Sequence, residues 1–199
     1  MTLREQPEAG RSAVRYAAAM QGVLTGQEVV YEEMFREQKS VSYCFVNVFL
    51  FGLFHAVFVL LLAGYIGGGP EESQPGLSVQ TQAAVLASGI MVAFFMHAGA
   101  ALFFWVFARG LGGRPAFLPL YLNLGVGFIA LWPLAPVLAA FQAGIGGVIL
   151  LVVLGMLALF ATAVVFAALK SASGLSTLRM SAAMVLTVAY VACFLYLWV

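Results

Sequence analysis

Between Cys44 and Ile66 the chain runs for 23 residues without a formal charge, and that run constrains the fold more than any other feature. A helix over it is about 34 Å long at 1.5 Å per residue, enough to cross the hydrocarbon core of a bilayer. Four comparable runs follow, at Ala83–Ala108, Phe117–Phe141, Ile145–Leu169 and Met180–Trp198. Lipid offers a backbone amide no partner, so each run must satisfy its own hydrogen bonds, and a helix is the form that does so. The expectation is an all-α, polytopic transmembrane bundle of five spans over residues 41–199, preceded by an arm over residues 1–40.

Composition agrees with lipid as the solvent. Residues are 63% hydrophobic and 9% charged, against about 25% charged in a soluble domain. A net charge of +1 argues against nucleic acid as a partner, and no basic block resembles an anionic-lipid patch. Cys44 and Cys193 fall at opposite ends of the expected bundle, too far apart for a disulfide, and neither has a metal-ligand neighbour. The first forty residues hold no apolar core of the kind a cleaved leader needs. Arginine outnumbers lysine and alanine is abundant, which points to a bacterial source and the inner membrane.

The arm carries Ala13, Tyr16, Ala17, Met20, Val23 and Leu24 at helical spacing, a weak amphipathic stripe. Thr25-Gly26-Gln27-Glu28 reads as a capping box with Thr25 as N-cap. It predicts a second short helix through Val30, Met34 and Phe35. A partly disordered tail is the competing reading. Further on, Gly67-Gly68-Gly69-Pro70 ends the first span in a loop through Glu71, Glu72 and Pro75. Arg109–Ala116 is a glycine-rich turn, Gly144–Gly147 an almost wholly apolar one, and Lys170–Arg179 a polar one.

Orientation follows from where the cations lie. Arg36 and Lys39 precede the first span, Arg109 and Arg114 lie in the second loop, and Lys170 and Arg179 lie in the fourth. The first and third loops have none. The N-terminus is expected in the cytoplasm and the C-terminus outside. Tyr43 and Trp105 suit the inner interface, and Tyr65, Tyr196 and Trp198 the outer one.

Chemistry is sparse. The chain has no Asp, and no Glu, Lys or Arg falls within an expected span, which counts against proton-coupled transport and intramembrane proteolysis. No Gly-x-Ser-x-Gly, Walker or His-Glu-x-x-His motif is present, and the spacing of Ser88 to the histidines supports no catalytic pair. His55 lies eleven residues beyond Cys44 and His97 eleven before Ala108, so both are expected about 16 Å from the cytoplasmic end of antiparallel helices. Two histidines at equal depth with small neighbours (Gly52, Ala93, Ala101) are the pattern of b-type haem ligation. The plainer reading makes them packing residues that bond a neighbouring hydroxyl or carbonyl, with Asn47 and Asn123 among the partners. Pro133 and Pro136 should kink the third span, and the glycines at 125 and 127 suit close helix packing.

Three elements resemble the Yip-domain membrane proteins, a family named for interaction with Ypt/Rab GTPases. These are the turn Arg109-Gly110-Leu111-Gly112-Gly113-Arg114-Pro115-Ala116-Phe117, the Trp132-Pro133 pair inside the third span, and the segment Lys170-Ser171-Ala172-Ser173-Gly174-Leu175-Ser176-Thr177-Leu178-Arg179. The likeness covers roughly residues 30–199. It implies a five-span, N-inside protein that acts through protein contacts rather than catalysis, and it carries over no catalytic residue. The long acidic or proline-rich N-terminal region of many eukaryotic members is absent, which points to a prokaryotic relative.

The resulting expectation is a non-enzymatic scaffold, accessory subunit or membrane-organising factor, without metal or cofactor. Its partners are lipid and other membrane proteins or further copies of itself. Arg109, Arg114, Lys170 and Arg179 are the candidate contact residues, with simple topology determinants as their plainer role. Haem electron transfer through His55 and His97 is the first alternative. A small-solute channel or carrier lined by the third span is the second.

Overall fold

The computed structural model describes residues 8–67 and 77–198, with side chains over 15–66 and 77–193. The described residues are helical without a strand. In order, the elements are α1 (Glu8–Leu24), α2 (Glu28–Arg36), α3 (Ser40–Gly67), α4 (Val79–Gly110), α5 (Phe117–Gly127), a 3-10 turn (Phe128–Leu131), α6 (Leu134–Gln142), α7 (Val148–Ser173) and α8 (Thr177–Trp198). Three helices, α3, α4 and α7, are long and apolar enough to cross a membrane, and α5 with α6 makes a fourth if the bent pair counts as one span. Large apolar side chains such as Ile149, Met156 and Leu159 stand exposed along α7. Together with these long apolar helices, such a surface marks the protein as membrane-embedded. The loop from Gly68 to Pro75 and the side chains of Tyr196 and Trp198 lie outside the described residues.

The arm is helical and packed on the bundle. Met20 and Val23 of α1 and Tyr31 and Met34 of α2 are buried in one cluster with Cys44, Val126 and Val164, while Phe35 stays exposed. The expected capping box does not form. Thr25 Oγ1 donates back to the carbonyls of Gln21 and Gly22, and Gln27, without a side-chain cap, precedes α2. The reason is local: Gly26 takes a left-handed φ of 72°, so Thr25 finishes α1 and the chain reverses before α2 begins.

The α3–α4 pair is held by small residues. A Cβ at Gly52 would sit 2.7 Å from the carbonyl of Gly89 and 2.8 Å from Ile90 Cα, and a Cβ at Gly89 would sit 2.7 Å from Ala56 Cβ. Gly52-x-x-x-Ala56 and Gly89-x-x-x-Ala93 therefore let two backbones touch, where dispersion and close packing replace a hydrophobic driving force. On the other side of α4, Tyr190 of α8 stacks on Phe103 with ring centroids 3.6 Å apart and covers Gly99.

The expected third span is more than kinked. Its two halves meet at 71°, so residues 117–141 are a broken helix. Pro133 leaves the Ile129 carbonyl without its usual donor four residues on, and Pro136 does the same to Trp132. Both carbonyls are recaptured by tighter, three-residue bonds, from Trp132 N at 3.3 Å and Ala135 N at 3.1 Å. The pieces between are a 3-10 turn rather than an α-helix. The fourth run likewise starts at Val148 rather than 145, because Gly144 and Gly147 hold positive φ.

Replacing Gly52 with alanine is expected to destabilise the folded protein by about 1–3 kcal/mol, the range for overpacking a tight site. Thermal unfolding in detergent reads this, with Gly64→Ala, which meets nothing within 4 Å, as the silent comparison.

Candidate functional site

Asn47 is the polar centre of the molecule. It lies on α3, fully buried, and every hydrogen-bonding group it has is used. Its Nδ2 donates to the Val126 carbonyl at 2.7 Å and meets Met20 Sδ at 3.3 Å, its Oδ1 accepts from the Tyr16 hydroxyl, and its backbone carbonyl accepts from Trp132 Nε1 at 3.0 Å. One side chain thus joins the arm to α3 and to the break after α5. Burial, with Tyr43 beside it, pushes the Tyr16 phenol up to about 12, so it remains a donor at any physiological pH. A second tie holds Lys170 of α7 to Glu28 of α2 at 3.7 Å.

The two histidines are not brought together. A Cβ at Gly125 would lie 2.2 Å from Cys44 Sγ and 2.9 Å from His97 Nε2, so His97 shares a niche with the start of α3. His55 is eleven residues further along the same helix, about 16 Å away by helical rise. The expectation of equal depth took the ends of the two apolar runs as level. Helix α4 instead passes Cys44 well before its own end, and the Gly52–Gly89 contact fixes that offset. Around His97 the environment is a closed one: Nε2 donates to the Tyr121 carbonyl at 2.9 Å, and the Tyr121 and Phe128 rings pack against it at 4.2 and 5.1 Å. His55 is buried with Gln142 of α6 as a hydrogen-bonding neighbour. Two axial ligands of one haem must lie on opposite faces of a single plane, and backbone contact between α3 and α4 leaves no slot for a porphyrin between them. These residues do not fit the group.

The four candidate cations divide. Lys170 is turned to Glu28 and serves the arm. Arg109 stacks over the Trp105 ring at 4.8 Å, and Trp105 Nε1 donates to the Pro115 carbonyl at 3.1 Å, which braces the turn after α4. The turn itself closes through Gly113 N to the Ala108 carbonyl at 2.9 Å, with Gly112 at φ 84°. A Cβ at Gly112 would meet Arg179 Nη1 at 3.2 Å, and one at Gly113 would meet Leu175 at 2.8 Å. The Arg109–Phe117 turn and the start of α8 are therefore one packed surface, and Arg109, Arg114 and Arg179 sit exposed on it.

A cavity of about 240 Å³ lies among α3, α4, the broken helix, α7 and α8. Phe128, Leu131, Leu134 and Leu138 form the wall at the break, and the only hydroxyls lining it belong to Thr162 and Thr187. The latter donates to the Ala183 carbonyl at 2.8 Å and so has nothing left to give. Such a lining stays dry and suits hydrocarbon rather than a hydrated solute. No sequence signal marked it, because its residues come from elements spread along the chain from α3 to α8 and are almost all ordinary apolar ones.

Asn47, the asymmetric use of the cations and the cavity define the class as a membrane-embedded helical bundle with a docked arm. No family model, curated protein or solved structure matches the chain.

A reduced-minus-oxidised visible spectrum of the purified protein is expected to be featureless. A Soret shift abolished by replacing either His55 or His97 would contradict the separation of the two rings.

Proposed function

We propose that the protein is a non-enzymatic integral membrane scaffold or accessory subunit whose docked arm presents a protein-binding surface at the cytoplasmic end of the bundle. The observation that carries this reading is the arm itself. It is tied down on one side by Tyr16, Met20 and Glu28, and on the other it leaves Val29 64% and Phe35 48% exposed. Val29 and Phe35 stand on different sides of a fixed helix among the exposed Glu32, Glu33 and Arg36, so the helix offers a partner both apolar and charged groups.

In this reading α8 is the last of five spans, the N-terminus faces the cytoplasm, and the membrane is a bacterial inner membrane. The alternating placement of lysine and arginine supports it. The likeness of the Arg109–Phe117 turn, the Trp132-Pro133 pair and the Lys170–Arg179 segment to Yip-domain proteins is consistent with a role through contacts. So is the absence of any Asp, Glu, Lys or Arg from the apolar runs, which leaves little for acid–base chemistry. The partner is another membrane protein or a second copy of the chain. The small-solute carrier reading is weaker, since the cavity at the broken helix is lined almost wholly by apolar side chains, with the hydroxyls of Thr162 and Thr187 as its polar groups.

A photo-crosslinking residue at position 29 or 35 is expected to give a discrete protein adduct in intact cells, and one at the lipid-facing position 159 to give none. Adducts to lipid alone at all three positions would overturn the proposal. Phe35→Asp should abolish the adduct at position 29 while leaving the thermal midpoint unchanged.

A further inference from the structure

The sequence holds no basic block, yet the fold assembles one. Arg109 and Arg114 lie in the turn between α4 and α5, and Arg179 opens α8, some seventy residues later in the chain. Contact of the Arg179 guanidinium with Gly112, and of Leu175 with Gly113, brings these segments to one surface. The ion pairs among the described residues are Lys39–Glu37 and Lys170–Glu28, so none of the three arginines is neutralised by a carboxylate. Lys39 and Lys170 are paired in this way, whereas Arg36 of α2 is not. The same surface carries Leu118 and Leu178, 58% and 82% exposed, and the Trp105 ring, which lies under Arg109.

That combination has a specific ligand chemistry. Exposed leucines beside a tryptophan mark the level where acyl chains give way to headgroups. Guanidinium groups at that level offer forked donors that match a phosphate. Arginines meant only to set topology need neither a common surface nor a brace. Here Arg109 is pre-positioned by Trp105, and the turn is closed by its own backbone bonds. We propose that Arg109, Arg114 and Arg179 form a binding site for the headgroup phosphate of an anionic phospholipid in the adjoining leaflet, with Leu118 and Leu178 alongside its acyl chains. The site is separate from the exposed face of α2 and does not depend on the scaffold reading.

Native mass spectrometry of the protein, stripped in detergent and titrated with phosphatidylglycerol or phosphatidylcholine, tests this. The expected result is a saturable phosphatidylglycerol adduct that phosphatidylcholine does not form. Each cation near a membrane surface contributes a severalfold preference, so Arg109→Gln with Arg179→Gln should lower affinity by more than about tenfold. Lys170→Gln, which removes a single charge already paired with Glu28, should leave it unchanged. Arg109→Lys with Arg179→Lys keeps the charge and checks folding, and it should retain part of the affinity. Equal retention of both lipids, or an equal loss from Lys170→Gln, overturns the proposal. So does displacement of the adduct by millimolar inorganic phosphate, which would make the site one for a free anion.

Discussion

The structure depends on a buried asparagine. An amide in the middle of an apolar helix is costly unless every donor and acceptor is met, and Asn47 is met from three directions. Tyr16 and Met20 come from the arm, the Val126 carbonyl comes from the end of α5, and Trp132 reaches its backbone carbonyl from the break. Without its side chain the Tyr16 hydroxyl and the Val126 carbonyl would each lose a partner. The arm is therefore an integral part of the bundle rather than a tail, and the broken helix is pinned at the point where its own backbone bonding fails. Because hydrocarbon supplies no alternative partners, the arrangement is specific as well as satisfied.

That anchor organises the rest. With α1 seated on Asn47, α2 is carried across to α7, where Glu28 meets Lys170, and Val29 and Phe35 are left exposed. With the break pinned, α6 leaves the line of α5 at 71°, and its leucines wall the apolar cavity. The basic surface is built at the same end by independent means, the glycines of the turn after α4 allowing α8 to close on it. The proposed protein contact at α2 and the proposed phosphate contact at the arginine turn would then share one end of the bundle.

Much of the helical layout was legible in the sequence, since long uncharged runs in lipid have one backbone solution. The stripe from Tyr16 to Leu24 marked α1, and the two prolines marked a disturbance in the third run. Three things were not legible. The size of the bend follows from how freed carbonyls are recaptured, which depends on neighbours as well as on Pro133 and Pro136. Thr25-Gly26-Gln27-Glu28 has the letters of a capping box, but the left-handed Gly26 hands Thr25 to the preceding helix. The depth of His97 depends on where α4 slides against α3, and Gly52 and Gly89 set that register through a contact no single-helix count contains. For the site, the arginines were visible as cations, but their convergence needed the fold. Asn47 stood out only as one possible partner among several.

The most direct test of the account is amide hydrogen exchange in the Asn47→Leu variant, in detergent, against the unaltered protein. Leucine keeps the volume and removes both donor and acceptor, which leaves the Tyr16 hydroxyl and the Val126 carbonyl each short of a partner at about 1–3 kcal/mol. The account predicts faster exchange in residues 16–24 and 126–132 together, with the α3–α4 contact around Gly52 and Gly89 still protected. Unchanged protection in both segments, or loss in one without the other, would contradict the claim that Asn47 couples the arm to the break.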